Sequence, residues 1–351
     1  MNKRVQRALT IIEKEKLDAF LFSNPLNITY LTGFREAEGY LLLSQKKIVY
    51  FTNFIYAQEA KKIDFWHPQI VISNMFEHII NTINKLGIKR VGFEERNFSY
   101  LEYKKMKELA LRNHISFLPK KSPAEELRII KTKREILLVK KAISIMKEAL
   151  DYVEEIQNIN LTEKDLQIEI IKFIHLKNSE LAFNPIVAFN RNSSVVHHLP
   201  KREHIIRKKI ILIDLGAKYC RYCADLTRVI FLGKMPTSLK KIYDIVRKAQ
   251  DLAIKNIKEG VTAKEVDRKA RSFIEKKGFH KYFGHGLGHG VGMCVHEEPY
   301  LNPYNSTILK SGMILTVEPA IYLPGRFGIR IEDVVLVRKG KAEVLSGNIP
   351  R

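Results

Sequence analysis

The chain has 351 residues, of which 45% are hydrophobic and 28% charged, and its formal net charge is +22. This length suits two domains better than one core, and the ordinary apolar fraction excludes a mostly disordered chain. No segment approaches the roughly 20 apolar residues that span a bilayer, and the first residues lack a signal-peptide core. We therefore expect a cytoplasmic protein, and the odd count of three cysteines fits a reducing compartment.

The excess positive charge is spread along the chain, with +7 over residues 1–120 and +15 over residues 121–351. Its densest patches, residues 131–134 and 201–209, are short or interrupted by Glu203 and by isoleucines. Neither patch is accompanied by an aromatic stacking module or by zinc-finger spacing. We interpret the charge as a lysine-rich solvated surface and do not expect nucleic acid as a partner.

The first 120 residues alternate short apolar runs with amphipathic segments. The apolar runs predict strands at residues 18–22, 40–43, 48–52 and 90–93. The amphipathic segments predict helices at residues 54–62, 75–86 and 100–111. This alternation indicates an α/β domain with a small mixed sheet. The polar residues before Pro123 predict a boundary, which gives domains of residues 1–121 and 122–351.

The second half begins with a helical pattern from residue 124 to about residue 156. Two further helices are marked after residue 160, the second by a capping box from Thr262 to Glu265 and a stop at Gly278. Strand-like segments lie at residues 210–217, 222–232, 313–322 and 327–337. Helices combined with a curved antiparallel sheet, without regular βαβ spacing, indicate the α+β class.

Four carboxylates lie inside apolar strand-like runs, where an unpaired charge is costly: Asp214, Asp225, Glu318 and Glu332. Each one alone fits a solvent-facing strand or a salt bridge. If the strand-like segments at residues 210–217 and 222–232 form a hairpin that turns between Tyr219 and Cys220, Asp214 and Asp225 lie directly opposite each other. Two carboxylates in that position repel unless a cation lies between them, so the pattern predicts a metal site.

Imidazole candidates lie in and just beyond the glycine-rich segment of residues 284–292, at His285, His289 and His296. Glycines let a backbone pack closely and adopt unusual dihedral angles. One imidazole added to an oxygen-rich site moves the metal preference toward Mn, Fe, Co or Zn. Taken alone, this segment fits a flexible loop with solvated histidines equally well. The pair His197 and His198 is weaker evidence still for a functional site.

Several other catalytic motifs are excluded. The glycine segment does not match G-x-G-x-x-G because Val291 occupies the last glycine position, and the chain has neither a P-loop nor G-x-S-x-G. His296 does not begin a zincin motif because Tyr300 stands in place of the second histidine. Cys220 and Cys223 match C-x-x-C without a second pair, so we interpret both as packing residues.

The ordered set of carboxylates and one imidazole resembles the dinuclear metal centre of the pita-bread metallopeptidases, in particular the Xaa-Pro peptidases prolidase and aminopeptidase P. The surrounding motifs agree, among them Asp-Leu-Thr-Arg at residue 225 and Thr-Val-Glu-Pro-Ala-Ile-Tyr at residue 316. Residues 27–34, Asn-Ile-Thr-Tyr-Leu-Thr-Gly-Phe, are similar to the creatinase/prolidase N-terminal domain. The resemblance implies a pita-bread catalytic domain after an α/β domain. One departure is Arg221, where relatives often have glycine.

The resemblance implies two divalent ions per subunit, chosen from Mn, Co, Fe and Zn with Mn favoured. Their ligands would be Asp214, Asp225, His289, Glu318 and Glu332. In this assignment Asp225 and Glu332 bridge the ions, His289 is the only imidazole ligand, and Glu318 also transfers protons.

The resemblance also implies residues that act on the substrate. His197 would hold the peptide, and His296 would stabilise the developing oxyanion. His285 would line the substrate site, Arg330 would orient its acidic neighbours there, and Tyr322 would support Glu318.

The implied activity is that of a homodimeric exopeptidase that cleaves before proline. The Xaa-Pro dipeptidase is favoured, and aminopeptidase P acting on longer peptides is the alternative. Proline after the scissile bond gives a tertiary amide without an N–H for alignment, so a dedicated pocket is needed. A non-catalytic pita-bread binding module is the alternative from another class, and the net charge is its only support.

Overall fold

The computed structural model describes residues 2–34, 38–62, 67–156, 160–203 and 210–351. The chain divides into two compact units, Met1–Arg128 and Ile129–Arg351. Most of the basic patch at residues 201–209 lies outside the described residues. None of the described helices is long and apolar enough to cross a membrane.

The first unit contains a six-stranded mixed sheet in the order β4-β3-β2-β1-β5-β6. Its strands are β1 (Ala19–Phe22), β2 (Tyr40–Ser44), β3 (Ile48–Thr52), β4 (His67–Ile70), β5 (Arg90–Glu94) and β6 (Ser116–Lys120). Its helices are α1 (Lys3–Lys14), α2 (Pro25–Thr32), α3 (Ala57–Ala60), α4 (Met75–Lys85), α5 (Tyr100–Arg112) and α6 (Pro123–Ile129), the last of which crosses the division by one residue. The predicted α/β class is confirmed.

Three helical segments of this unit differ from the prediction. Helix α1 was not predicted, although its buried residues recur at helical spacing among many charges. Helix α2 was not predicted either; it begins after the cap residue Asn24 and ends at Gly33, whose φ is 77°. The predicted helix at residues 54–62 is confirmed in part, since a 3₁₀ turn at Phe54–Tyr56 leads into the single turn of α3 and the helix ends at Ala60.

In the described part of the second unit, four helices pack against antiparallel sheets, which confirms the α+β class. The helices are α7 (Lys133–Ile156), α8 (Glu163–Leu176), α9 (Thr237–Asn256) and α10 (Ala263–Lys276). The predicted capping box of α10 is present, and Gly278 follows the helix with a φ of 83°. Three helices, α8, α9 and α10, follow residue 160 in the described chain, one more than the two predicted.

The described strands of this unit form three sheets. They are β7 (Glu180–Leu181), β8 (Ile186–Phe189), β9 (Ile210–Tyr219), β10 (Tyr222–Phe231), β11 (Gly288–Gly290), β12 (Glu297–Leu301), β13 (Ile314–Val317), β14 (Ala320–Leu323), β15 (Phe327–Arg330), β16 (Asp333–Leu336) and β17 (Glu343–Val344). One sheet has the order β10-β9-β7 with β8 also on β9, another the order β12-β11-β13-β16-β17, and β14 pairs with β15. Apolar residues of α9 and α10 form one core cluster with β13 to β16.

The predicted helical pattern from residue 124 to 156 is confirmed except for a break between α6 and α7. The N–H of Lys131 donates to Gly312 O at 2.9 Å instead of continuing a helix. Thr132 then caps α7, since its N–H donates to the Glu135 carboxylate at 2.6 Å and its hydroxyl oxygen accepts from the Glu135 N–H at 3.3 Å. Local capping chemistry thus interrupts an otherwise helical pattern.

The hairpin of β9 and β10 turns at a different place from the one predicted. Tyr219 pairs with Tyr222, so the turn consists of Cys220 and Arg221, with φ values of 46° and 72°. Positive φ at both positions is what a tight two-residue hairpin turn requires. Cys223 is buried as expected, but Cys220 is exposed, so its interpretation as a packing residue is wrong.

This turn changes the register of the two aspartates. Asp214 pairs with Thr227 and Asp225 pairs with Gly216, so the predicted direct opposition of Asp214 and Asp225 is wrong. The register differs from the prediction by two residues, and side chains alternate faces with a period of two. Both carboxylates therefore remain on one face as diagonal neighbours.

Each of the last two predicted strands is divided in its middle. Glu318 and Pro319 separate β13 from β14, and Ile331 and Glu332 separate β15 from β16. Since β13 pairs with β16 and β14 with β15, the two interruptions face each other. Pro319 has no N–H to donate to a ladder. The two glutamates therefore lie where regular pairing stops.

Candidate metal centre

Four carboxylates and one imidazole line a cavity of about 510 Å³: Asp214, Asp225, His289, Glu318 and Glu332. They come from β9, β10, β11 and the two strand interruptions. Asp225, His289 and Glu332 are buried, and each can place one ligand atom within 4.8 Å of the others. The structure thus brings together all five residues that the sequence analysis selected as metal ligands.

His289 lies on β11, whose backbone closely approaches the neighbouring strands β12 and β13 on both sides. A Cβ atom on Gly288 would lie 2.1 Å from Thr316 O, and one on Gly290 would lie 2.4 Å from Glu298 O. Only glycine fits at these two positions without moving backbone. The His289 N–H also donates to the Thr316 hydroxyl at 3.0 Å. The glycine-rich segment is therefore an ordered strand at this point.

The imidazole of His289 presents one nitrogen to the carboxylates. Its Nδ1 lies 3.1 Å from Gly290 O, which is an acceptor, so Nδ1 carries the proton of the neutral ring. Its Nε2 lies 3.4 Å from Glu318 Oε1 and 3.7 Å from Asp225 Oδ2. A histidine held in this tautomer offers its second nitrogen to a metal ion.

Three buried carboxylate oxygens have no hydrogen-bond partner among the described residues: Asp214 Oδ1, Asp225 Oδ1 and Glu332 Oε1. Buried carboxylate oxygens are costly unless they are hydrogen-bonded or coordinate a cation. Four carboxylates and one imidazole are donors that suit Mn, Fe, Co or Zn. The residues present therefore fit a centre of divalent ions.

Arg330 organises two of these carboxylates through direct and indirect bonds. Its Nη2 donates to Asp214 Oδ2 at 2.6 Å. Its Nε donates to Thr227 Oγ1 at 3.0 Å, and that hydroxyl donates to Glu332 Oε2 at 2.8 Å. The bonded oxygens are thereby oriented, while the unpartnered oxygen of each carboxylate stays available.

Electrostatics in the cavity disfavours several negative charges at once. Burial raises the pKa of Asp225 and of Glu332 well above the ordinary carboxyl range, and neighbouring carboxylates raise both further. Burial acts in the same direction on Glu318, but pairing with His289 leaves its pKa lowered. Burial lowers the pKa of His289, yet Glu318 and Asp225 outweigh it and raise this pKa to about 9. A cation would replace the protons that the cluster retains.

A hydrogen-bonded chain connects Arg330 to His285. Arg330 Nη1 donates to the Tyr322 hydroxyl at 2.7 Å, and that hydroxyl lies 3.2 Å from His285 Nε2. His285 Nδ1 lies 2.7 Å from Gly286 O, and burial lowers the pKa of this histidine, so its Nε2 accepts from Tyr322. The hydroxyl of Tyr322 therefore supports Arg330 and His285, and Glu318 is not among its hydrogen-bond partners in the described chain.

His197 and His296 line the same cavity from exposed positions. The imidazole rings of His296 and His289 have centroids 4.3 Å apart and meet edge to face. Burial and the charge of His289 lower the pKa of His296, which favours its neutral form. The structure thus places every residue selected for substrate contact in one cavity, Arg330 and His285 included.

The loop that carries His197 is held by Glu163, which the sequence analysis did not identify. The buried Glu163 carboxylate accepts hydrogen bonds from the N–H of Phe189 at 2.7 Å, the side-chain amide of Asn192 at 2.8 Å and the N–H of Lys201 at 3.1 Å. It also lies 2.7 Å from Nε2 of His198. His198 lines the same cavity, and its Nε2 is occupied by Glu163. The capping box of Thr162 and Asp165 is the sequence signal that would have identified α8.

Comparison with known families agrees with this geometry. The family model of the creatinase/prolidase N-terminal domain matches residues 4–130, and that of metallopeptidase family M24 matches residues 138–339. The chain belongs to metallopeptidase family M24. The resemblance to the pita-bread metallopeptidases is thereby confirmed.

Individual relatives of this M24 peptidase span nearly its whole length. Xaa-Pro dipeptidases from Pyrococcus horikoshii and Pyrococcus furiosus are each 33% identical over 99% of this chain, which covers 97% and 98% of those proteins. The structure of a Xaa-Pro dipeptidase from Bacillus anthracis superposes with a TM-score of 0.91 at 32% identity, over 98% of this chain and 97% of the other. An X-Pro aminopeptidase from Thermotoga maritima gives a TM-score of 0.87 at 32% identity, over 99% of both chains.

The raised pKa of Asp225 gives the metal-free M24 peptidase a testable pH dependence. Above the unfolded-state pKa of about 4, the folded state retains a proton that the unfolded state has lost, so stability falls as pH rises toward the folded-state pKa. We expect Asp225→Asn to unfold at a higher temperature than the wild type at pH 8, by an amount that shrinks toward pH 5. Thermal unfolding in chelator measures this, with the exposed Asp244→Asn as control. A difference that stays constant with pH would contradict the prediction.

The bonds of Glu163 predict local loosening of the His197 loop in Glu163→Gln. The side-chain NH₂ of a glutamine would face groups that are themselves donors, so hydrogen bonds would be lost. Each hydrogen bond to a charged group contributes about 1.5–3 kcal/mol to stability. We expect amide exchange at residues 189–201 to become roughly tenfold faster or more, with β13 and β16 unchanged. Hydrogen–deuterium exchange measures this, with Glu169→Gln on the surface of α8 as control. Equal acceleration in all strands would show that Glu163 has only a global role.

Proposed function

We propose that this M24 metallopeptidase is a prolidase, which hydrolyses the bond before proline in Xaa-Pro dipeptides. The observation that carries the chemistry is the set of three buried, unpartnered carboxylate oxygens beside an imidazole in one cavity. The choice of substrate is supported by the Xaa-Pro dipeptidases that are 33% identical over nearly the full chain. A binding module without catalysis would give no reason to keep these carboxylates buried.

In this proposal the cavity holds two divalent ions, with Mn favoured over Co, Fe and Zn. Asp214, Asp225, His289, Glu318 and Glu332 would hold the ions, with Asp225 and Glu332 in the bridging roles that the resemblance implies. When bound, the ions would lower the pKa of a shared water and polarise the scissile carbonyl. The orientation of Asp214 and Glu332 by Arg330 and Thr227 would then set ligand positions before any ion arrives.

The chain's own residues then handle the proton and the peptide. Glu318, whose Oε1 lies 3.4 Å from His289 Nε2, would accept a proton from the attacking water and return it to the leaving amine. His296, next to His289 at the cavity, would donate a hydrogen bond to the oxygen that becomes negative. His197 would hold the peptide from the loop that Glu163 fixes.

The lining of the cavity suits a proline ring as well as polar contacts. His285 and Arg330 present polar groups, whereas Phe183, Ile186 and Leu199 contribute an apolar wall. A tertiary amide offers no N–H for alignment, so shape and apolar contact must position the ring. We propose that this wall receives part of the Xaa-Pro substrate.

A second candidate is an aminopeptidase P activity, which releases the first residue from longer Xaa-Pro peptides. It is favoured by the structural likeness to the X-Pro aminopeptidase of Thermotoga maritima, at the same 32% identity as the Bacillus anthracis dipeptidase. We also propose that the enzyme is a cytoplasmic homodimer.

Peptide length separates the two activities. We expect the Mn- or Co-loaded enzyme to hydrolyse a dipeptide Xaa-Pro in preference to the tripeptide Xaa-Pro-Xaa. Release of the N-terminal residue, measured with both peptides at matched concentration, tests this. Preference for the tripeptide would indicate aminopeptidase P. Two bound ions without cleavage of either peptide would contradict both activities, and absence of bound metal would favour a binding module.

Removal of a bridging carboxylate tests the assignment of the metal centre. We expect Asp225→Ala and Glu332→Ala to lower kcat/KM by more than about a hundredfold, because even residues outside the ligand set commonly contribute 10–100-fold. Circular dichroism should show folded proteins, and metal analysis should show fewer than two ions. Asp244→Ala, on the exposed face of α9, serves as control. Wild-type rates in either bridging variant would refute the bridging roles.

A further inference from the structure

Gln250 on α9 joins the two strand interruptions that carry Glu318 and Glu332. Its side chain is buried, and its Nε2 donates to Val317 O at 2.9 Å and to Ile331 O at 3.0 Å. Val317 directly precedes Glu318, and Ile331 directly precedes Glu332. One amide group therefore holds the backbone immediately before both glutamates.

A primary amide is suited to this position because it has two N–H donors on one nitrogen. The β13–β16 ladder has its last pair at Val317 and Asp333, and pairing resumes between Ala320 and Arg330 in β14 and β15. The carbonyls of Val317 and Ile331 lie at the gap between these ladders, where regular strand pairing stops. Buried carbonyls need a partner, and Gln250 provides one for each.

The surroundings of Gln250 offer little other reason for a polar residue. On the buried face of α9, its neighbours one turn away, Val246 and Ala253, are apolar and belong to the core cluster. Its own Oε1 is buried and has no hydrogen-bond partner among the described residues. An unpartnered buried acceptor is unfavourable, so the side chain is poorly suited to the core except through its two donor bonds.

We propose that Gln250 is a positioning residue of the metal centre. By binding both carbonyls with one nitrogen, it sets the separation of Glu318 and Glu332 and thereby the affinity of the cavity for two ions. The inference rests on the proposed function, in which both glutamates are metal ligands. Gln250 acts through backbone alone, since it is not among the residues that line the cavity.

Gln250→Met tests the proposal because methionine has a similar length and no donor. We expect affinity for at least one Mn²⁺ ion to fall 10–100-fold, the range typical of residues that support ligands. Titration of the full chain with Mn²⁺ against a competing chelator measures this. Val246→Ala, one turn earlier on α9, is the matched control: it removes buried methyl groups, so it should lower the unfolding temperature and leave both Mn²⁺ affinities unchanged.

Gln250→Asn provides a second variant if Gln250→Met does not fold. It keeps the amide but is shorter by one methylene group, so it cannot reach both carbonyls, and we expect the same loss of affinity. Wild-type Mn²⁺ affinities in a folded Gln250 variant with a lowered unfolding temperature would overturn the inference and assign the amide to core stability. Wild-type protein that binds fewer than two ions would refute the proposed function, and this inference with it, before any variant is compared.

Discussion

Repulsion among buried carboxylates is the constraint on which the second unit depends. Asp225 and Glu332 are each raised in pKa by burial and by their acidic neighbours, so the cluster is unfavourable when ionised and unfilled. A divalent cation reverses the sign of that interaction, because charges that repel one another all attract the ion. A cluster that is unfavourable alone is therefore the arrangement that binds such an ion well.

Placing such a cluster requires the sheet to depart from regular pairing. Glu318 and Glu332 lie at interruptions of two strand pairs, and His289 lies on a strand that fits only because glycines flank it. Each departure exposes backbone groups that then need other partners. Gln250 donates hydrogen bonds to the backbone carbonyls at the two interruptions. Arg330 donates to the Thr227 hydroxyl, which in turn donates to the Glu332 carboxylate. Polar side chains around the cavity thus replace hydrogen bonds that regular strand pairing would have provided.

The sequence predicted the chemistry of this site better than its geometry. Charged residues inside apolar runs are conspicuous in a linear sequence, which is why Asp214 and Asp225 were identified. Their register was predicted wrongly because Cys220 and Arg221 are not typical turn residues, although both adopt positive φ. Glu163 and Gln250 could not be assigned roles, because their partners lie far away in the chain. Local capping signals would have revealed α8 but not what its first residue binds.

Two separate sets of hydrogen bonds hold the residues that line the cavity. Glu163 fixes the His197 loop through bonds to backbone and side chains of residues 189–201, and none of those groups belongs to a proposed metal ligand. Gln250 and Arg330 act on the segments that hold the carboxylates. Under the proposed function, peptide contact and metal affinity would therefore be governed by different residues. A change in the loop would then alter contact with the peptide while the proposed metal ligands keep their positions, because the two sets of hydrogen bonds share no residue.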